Sequence, residues 1–179
     1  MKLSAPQLIK LPPIRLIGLK CETCLAEDTT APLIRDFIAQ RHRIKHTVND
    51  FVHSMRVYPV GLEWPSFNVH TKFTKWAAIE VTEDAPCPEG FSVYVCTGGL
   101  YACFEHVGPA VEAPQVFTFI MRKWLPQTDF VVADRPHLER MELGYNPSDP
   151  LAKEEFWIPL KNEKVPMMAR KATSHLALV

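Results

Sequence analysis

Two short stretches limit most strongly what this chain can fold into. In an extended backbone, successive side chains point to opposite sides. Glu155-Phe156-Trp157-Ile158-Pro159-Leu160 then has an apolar row of Phe156, Ile158 and Leu160, and a second row of Glu155 and Trp157. Trp76-Ala77-Ala78-Ile79-Glu80-Val81 repeats the pattern, with Ala77, Ile79 and Val81 opposite Trp76, Ala78 and Glu80. The apolar rows call for a core. The others set a carboxylate beside an indole, which suits a pocket for a flat or cationic guest.

The remaining segments can be arranged around these two strands. Residues 1–10 read as a loose lead-in, and Ile14 to Cys21 as a strand introduced by Pro12-Pro13. Asp28-Thr29-Thr30 and Pro32 open a helix, with Leu33, Ile34, Phe37, Ile38 and Ile44 at helical spacing. His46 to Arg56 is ambiguous, and a second short helix around Val48, Phe51 and Val52 is one reading of it. Val57 to Trp64 reads as strand, with Tyr58, Val60, Leu62 and Trp64 on one parity. Residues 83–90 are a loop by composition. Strands at 91–96 and 100–107 flank Thr97-Gly98-Gly99. A helix then runs from Pro114 through Val116, Phe117, Ile120, Met121 and Trp124 to Pro126. Strand pieces at 130–133 and 138–143 precede the closing strand. Strand, helix, strand, strand thus occurs twice, which predicts an internal duplication. The expected fold is α+β: one antiparallel sheet, both helices on one face, and a groove on the other. A single domain over 1–162 is expected, with repeats at about 12–84 and 88–162 and a mobile tail at 163–179.

Composition removes several function classes. Lys plus Arg and Asp plus Glu each number 20, so the formal net charge is zero. This argues against a broad electrostatic grip on nucleic acid or an anionic membrane. Neither a signal peptide nor an apolar run of about 20 residues is present, so a cytoplasmic protein is expected. Cys21 and Cys24 form the one C-x-x-C among five cysteines, and His42 and His46 have no clear third ligand. No metal or cofactor is therefore expected. The sequence also has no G-x-S-x-G, P-loop or dinucleotide glycine pattern.

Residues 99–109, Gly99-Leu100-Tyr101-Ala102-Cys103-Phe104-Glu105-His106-Val107-Gly108-Pro109, resemble the G-x-Y-A-x-F-x-H-x-G-P strand of the GyrI-like effector-binding family. Pro88-Glu89-Gly90-Phe91, Trp124-Leu125-Pro126, Pro136-His137-Leu138-Glu139 and the 155–160 strand follow that family's pattern in order. The resemblance implies a pseudo-twofold pair of βαββ modules with a ligand groove at their junction. It also implies a buried acid that recognises cationic, planar or amphiphilic compounds. By position that acid is Glu155, with Glu139 as a second glutamate. Met141 stands where the family usually has Tyr, so a flexible thioether replaces one phenolic wall.

The expected ligand-binding residues are Glu155, Trp157, Glu139, Trp76, Tyr101, Tyr58, Trp64 and Met141; opposite strand parity admits only one of Tyr101 and Phe104 to the groove, and Tyr101 is favoured. His106 is expected to be structural. The function expected is a stand-alone small-molecule binding protein for cationic, hydrophobic or aromatic compounds. One alternative is a hydrolase of reactive electrophiles, with Glu155 activating water and Tyr101 or Tyr58 as partner. Another is a gyrase-inhibitor-like interaction module. Partners under these readings are a small ligand, DNA gyrase or a separate transcription regulator. The chain shows no unmistakable nucleophile arrangement, which favours binding over turnover.

Overall fold

A computed structural model describes residues 2–162, and the tail expected at 163–179 lies outside them. The strands are β1 (Lys2–Leu3), β2 (Gln7–Leu11), β3 (Ile14–Thr23), β4 (Thr47–Val57), β5 (Phe73–Val81), β6 (Ser92–Cys96), β7 (Gly99–Val107), β8 (Phe130–Val132), β9 (His137–Met141) and β10 (Lys153–Asn162). All pair antiparallel. The order across the sheet is β7-β10-β9-β4-β5-β3-β6, with β1 and β2 along the outer edge of β7 and β8 beside the end of β10. Helix α1 (Thr30–Gln40) follows β3, and α2 (Ala113–Phe119) follows β7.

Two very short connections decide the shape. β6 and β7 lie six strand spacings apart, roughly 29 Å across a flat sheet, yet only Thr97 and Gly98 separate them. Three peptide units reach at most about 11 Å. Pro12 and Pro13 make an equally short crossing from β2 to β3. The sheet must therefore roll until its two ends meet, and Tyr101 Oη of β7 lies 3.6 Å from Cys96 Sγ of β6. At Gly98 (φ +72°) the crossing is so tight that a Cβ would lie 2.5 Å from the Leu11 carbonyl oxygen.

The helices cover the convex side. Phe37 of α1 packs with Ile17, Ala77, Ile79 and Val81, and Val116 and Ile120 pack with Ala102, Phe104, Phe156, Ile158 and Leu160. Asp28 accepts a hydrogen bond from the Thr30 amide at 2.9 Å and so caps α1. Helix α2 has Pro114 in its first turn and continues through a π-helical turn at Ile120–Trp124. His106 is fully buried, 3.1 Å from Glu154 and 3.0 Å from Glu112, so it joins β7 and β10 to the segment that opens α2.

Three segments differ from the sequence expectations. Of the ambiguous stretch from His46 to Arg56, the residues from Thr47 on form strand β4, and no helix forms around Val48, Phe51 and Val52. The run expected as strand over 57–64 leaves the sheet after Val57 and reaches a 3-10 turn at Trp64–Ser66. The lead-in expected to be loose forms β1 and β2.

Between the two apolar patches under the helices lies a buried charge cluster. Lateral pairing places Glu139 between Phe156 and Ser54, with Ala77 beyond. Ser54 Oγ donates to Glu139 at 2.7 Å, Lys75 Nζ lies at 3.3 Å, and Arg56 pairs with the other carboxylate oxygen. Burial alone would raise the Glu139 pKa, but the Arg56 and Lys75 cations outweigh it and hold it at about 2. Burial likewise lowers Lys75 to about 8 despite Glu139. His137 sits beside this cluster among Tyr58, Trp64 and Phe117, and neither ring nitrogen has a hydrogen-bond partner among the described residues.

Two stability predictions follow from this packing. A Cβ on Gly18 would lie 2.2 Å from the Ala77 carbonyl oxygen and 2.6 Å from Ala78 Cβ. Gly18→Ala is therefore expected to lower the unfolding free energy by about 1–3 kcal/mol, measured in urea. The second concerns acid. Burial, then Arg56, lowers the His137 pKa to about 3, so between there and about 6.5 the unfolded chain holds a proton that the folded one lacks. That stability is complete above the unfolded pKa and is lost as pH falls, by up to about 1.4 kcal/mol per pH unit. His137→Phe keeps a ring in the cluster and should remove that share of the loss between pH 6.5 and 5. Glu154, raised to about 7 by burial and then Glu139, titrates in the opposite sense, and comparison with the parent cancels its share.

Candidate functional site

The concave, helix-free side gathers the aromatic and acidic residues of the two defining strands. Lateral pairing sets Cys103, Trp157, Leu138, Met55, Trp76 and Lys20 in one row across it. The adjoining row is Glu105, Glu155, Arg140, His53, Ala78 and Gly18. Rings on this side also pack against one another between nearby strands. Tyr101 and Trp157 lie edge to face at 6.2 Å, and Trp76 and Tyr94 at 5.5 Å. Trp76, Tyr101 and Trp157 are each at most 5% exposed. The Tyr101 hydroxyl donates to the Pro136 carbonyl at 3.2 Å, and burial pushes its pKa up.

Little free space remains. His53, Glu80, Leu138, Arg140 and Trp157, closed over by Leu11 and Ile14, surround a cavity of about 20 Å³. That is room for about one water molecule. At the other end, Val57, Tyr94, Ala133, Asp134 and Arg135 meet residues 58–64 around a cavity of about 100 Å³.

Beside the first cavity, Arg140 and Trp157 both bond to Glu155. Glu155 Oε2 accepts from Trp157 Nε1 at 2.8 Å and from Arg140 Nε at 2.8 Å, and Arg140 Nη2 lies 2.7 Å away. Oε1 accepts no hydrogen bond from the described residues. The side chains of Glu155 and Arg140 are 29% and 24% exposed, so the pair sits at the rim rather than in the core. The Arg140 guanidinium lies 4.9 Å from the Trp157 ring and 4.5 Å from the Phe51 ring. His53 is buried beside it with neither ring nitrogen partnered among the described residues, and burial, then Arg140, lowers its pKa to about 4. Glu80 accepts from Asn49 Nδ2 at 2.9 Å. Burial raises the Cys103 thiol to about 12, with Glu155 adding to it.

Of the eight residues expected at the site, four share this side: Glu155, Trp157, Trp76 and Tyr101. Two others lie on the helix side: Glu139 is in the charge cluster, and Met141 packs under α1. Tyr58 and Trp64 form an aromatic group with His137 and also line the cavity of about 100 Å³ beside Tyr94. Arg140, His53, Met55, Leu138 and Tyr94 were missed. Arg140 shares strand parity with Leu138, a signal the sequence does carry. His53 and Met55 were hidden by the helical reading of β4.

No helix among the described residues is long and apolar enough to cross a membrane. A model of the GyrI-like small molecule binding domain matches residues 4–161. No curated protein sequence matches the chain. Among solved structures, a putative bacterial transcription regulation protein from Staphylococcus aureus MU50 is similar at 16% identity and a TM-score of 0.62, over 88% of this chain and 98% of that one. SAV2435 bound to tetraphenylphosphonium is similar at 15% identity and a TM-score of 0.58, over 88% and 94%. The EcmrR C-terminal domain is similar at 10% identity and a TM-score of 0.65, over 89% and 98%. At these identities the likeness is one of fold. The sequence match spans all but the ends of the described region, and on it the chain belongs to the GyrI-like small-molecule binding domain family.

Proposed function

We propose that this protein binds cationic, flat or aromatic small molecules in the hollow of the rolled sheet, with Glu155 as the acid that recognises positive charge. One observation carries the reading: the Glu155 and Trp157 corner already holds a delocalised cation, the guanidinium of Arg140, on a carboxylate and against an indole face. A carboxylate with one unused oxygen, at the rim of a hollow lined by Trp76, Tyr94, Tyr101 and Trp157, offers a guest both a charge partner and ring surface. The likeness to SAV2435, solved with tetraphenylphosphonium, supports the same ligand class. A guest of that size exceeds cavities of about 20 and 100 Å³, so binding on this reading includes displacement of side chains that now fill the hollow.

The hydrolytic alternative needs a tyrosine hydroxyl free to work beside Glu155. Tyr101 is fully buried and donates to Pro136, and Tyr58 lines the cavity of about 100 Å³ rather than the one beside the Glu155 corner. Binding without turnover fits this geometry better.

The test is a titration of tryptophan fluorescence with tetraphenylphosphonium. Saturable quenching is expected for the parent. Glu155→Gln should weaken it about tenfold, the scale of one partly desolvated charge contact, while leaving the melting temperature within a few degrees. Equal affinity in the two proteins would remove Glu155 from charge recognition.

A further inference from the structure

The corner that would hold a guest's charge is occupied, and the occupant belongs to the protein. Arg140 lies between the rings of Phe51 and Trp157, at 4.5 and 4.9 Å. It also makes two close contacts to one oxygen of Glu155. Two aromatic faces and a carboxylate are the parts of a cation-binding cage. The guanidinium fills it as a flat, delocalised cation would.

We infer that Arg140 is an intramolecular competitor for the ligand's cationic group and thereby a specificity-determining residue. A guest reaches the Glu155, Trp157 and Phe51 cage only by displacing the guanidinium, and this rests on the proposed binding of cations in the hollow. The geometry also defines which cations compete. A flat or delocalised charge can take over both ring contacts as well as the carboxylate. A compact, strongly hydrated ammonium replaces the ion pair but gives up stacking area and hydration. Displacement is feasible because the pair sits at the rim. At 24% and 29% exposure, Arg140 can swing out into water, and water screens an exposed pair to a modest net strength. The buried Arg56–Glu139 pair, locked by Lys75 and Ser54, has no such exit.

The experiment compares the parent with Arg140→Met and Arg140→Gln. Each is titrated with tetraphenylphosphonium and with tetraphenylborate, two ions of one shape and opposite charge. Emptying the cage of its own cation should tighten tetraphenylphosphonium binding at least about tenfold in both variants, the scale of the contacts Arg140 now makes. Affinity for tetraphenylborate should fall or stay flat. In the double variant Arg140→Met, Glu155→Gln, the gain should disappear. Arg140→Gln keeps a polar side chain next to Glu155, so a folding defect in Arg140→Met does not block the measurement, and thermal melts identify one. If the parent binds tetraphenylphosphonium and the variants bind it no tighter, the competitor role is wrong and the binding reading stands. An equal gain for tetraphenylborate would show that space rather than charge was released, which also overturns it. Failure of parent and variants alike to bind tetraphenylphosphonium overturns both readings together.

Discussion

The shape of the molecule depends on chain length at two crossings. Two residues between β6 and β7, and two prolines between β2 and β3, cannot reach across a flat sheet of this width, so the strands roll until first and last meet. Rolling gives each strand one convex and one concave row. The convex row is covered by helices; the concave row must fill its own interior. Trp76, Tyr94, Tyr101 and Trp157 do this, large flat side chains that pack in pairs along the concave side, Tyr101 against Trp157 of the neighbouring strand and Trp76 against Tyr94 two strands over. The hollow is aromatic because a tight roll needs bulk inside it, and the same bulk gives a planar guest something to stack on.

Parity explains what the sequence showed and what it concealed. The alternation in residues 155–160 and 76–81 is unbroken, and both strands present the rows that it predicts. The alternation in β4 is broken. Val48, Phe51, Val52 and Met55 fall at i, i+3, i+4 and i+7, the spacing of a helix stripe. The cause is an irregularity in pairing with β5 between Thr47 and Val52, which shifts the apolar residues out of two-residue register. A bulge followed by strand and a short amphipathic helix leave the same imprint on sequence. With β4 misread, His53 and Met55 had no face, and the floor of the hollow could not be assembled.

Glu139 fails for a different reason. A charged residue one position from Leu138 reads as the polar side of its strand. In the structure Leu138 faces the hollow and Glu139 faces the helices, where Arg56, Lys75 and Ser54 supply the charge and hydrogen bonds that make its burial tolerable. Those partners come from β4 and β5, 64 or more residues away in sequence. No local pattern announces such a contact, because compensation of a buried charge is decided by tertiary neighbours.

The two glutamates of the family pattern thus stand in opposite electrostatic situations, and the difference bears on function. Glu139 has two cations and a hydroxyl around it, is buried, and is held ionised far below the usual carboxylate range. Taking Glu139 out of the cluster would leave Arg56 and Lys75 facing each other at low dielectric without their anion, so the cluster resists exchange and acts as a lock under the helices. Glu155 has one cation and one indole N–H, keeps an oxygen unused, and sits where water reaches it. Its partner can leave for solvent without stranding a buried charge. An acid that exchanges partners cheaply can serve recognition, and an acid that cannot serves the fold. The rolled sheet places Glu155 on the rim of its concave side and Glu139 beneath its helices, which is the contrast the proposed reading rests on.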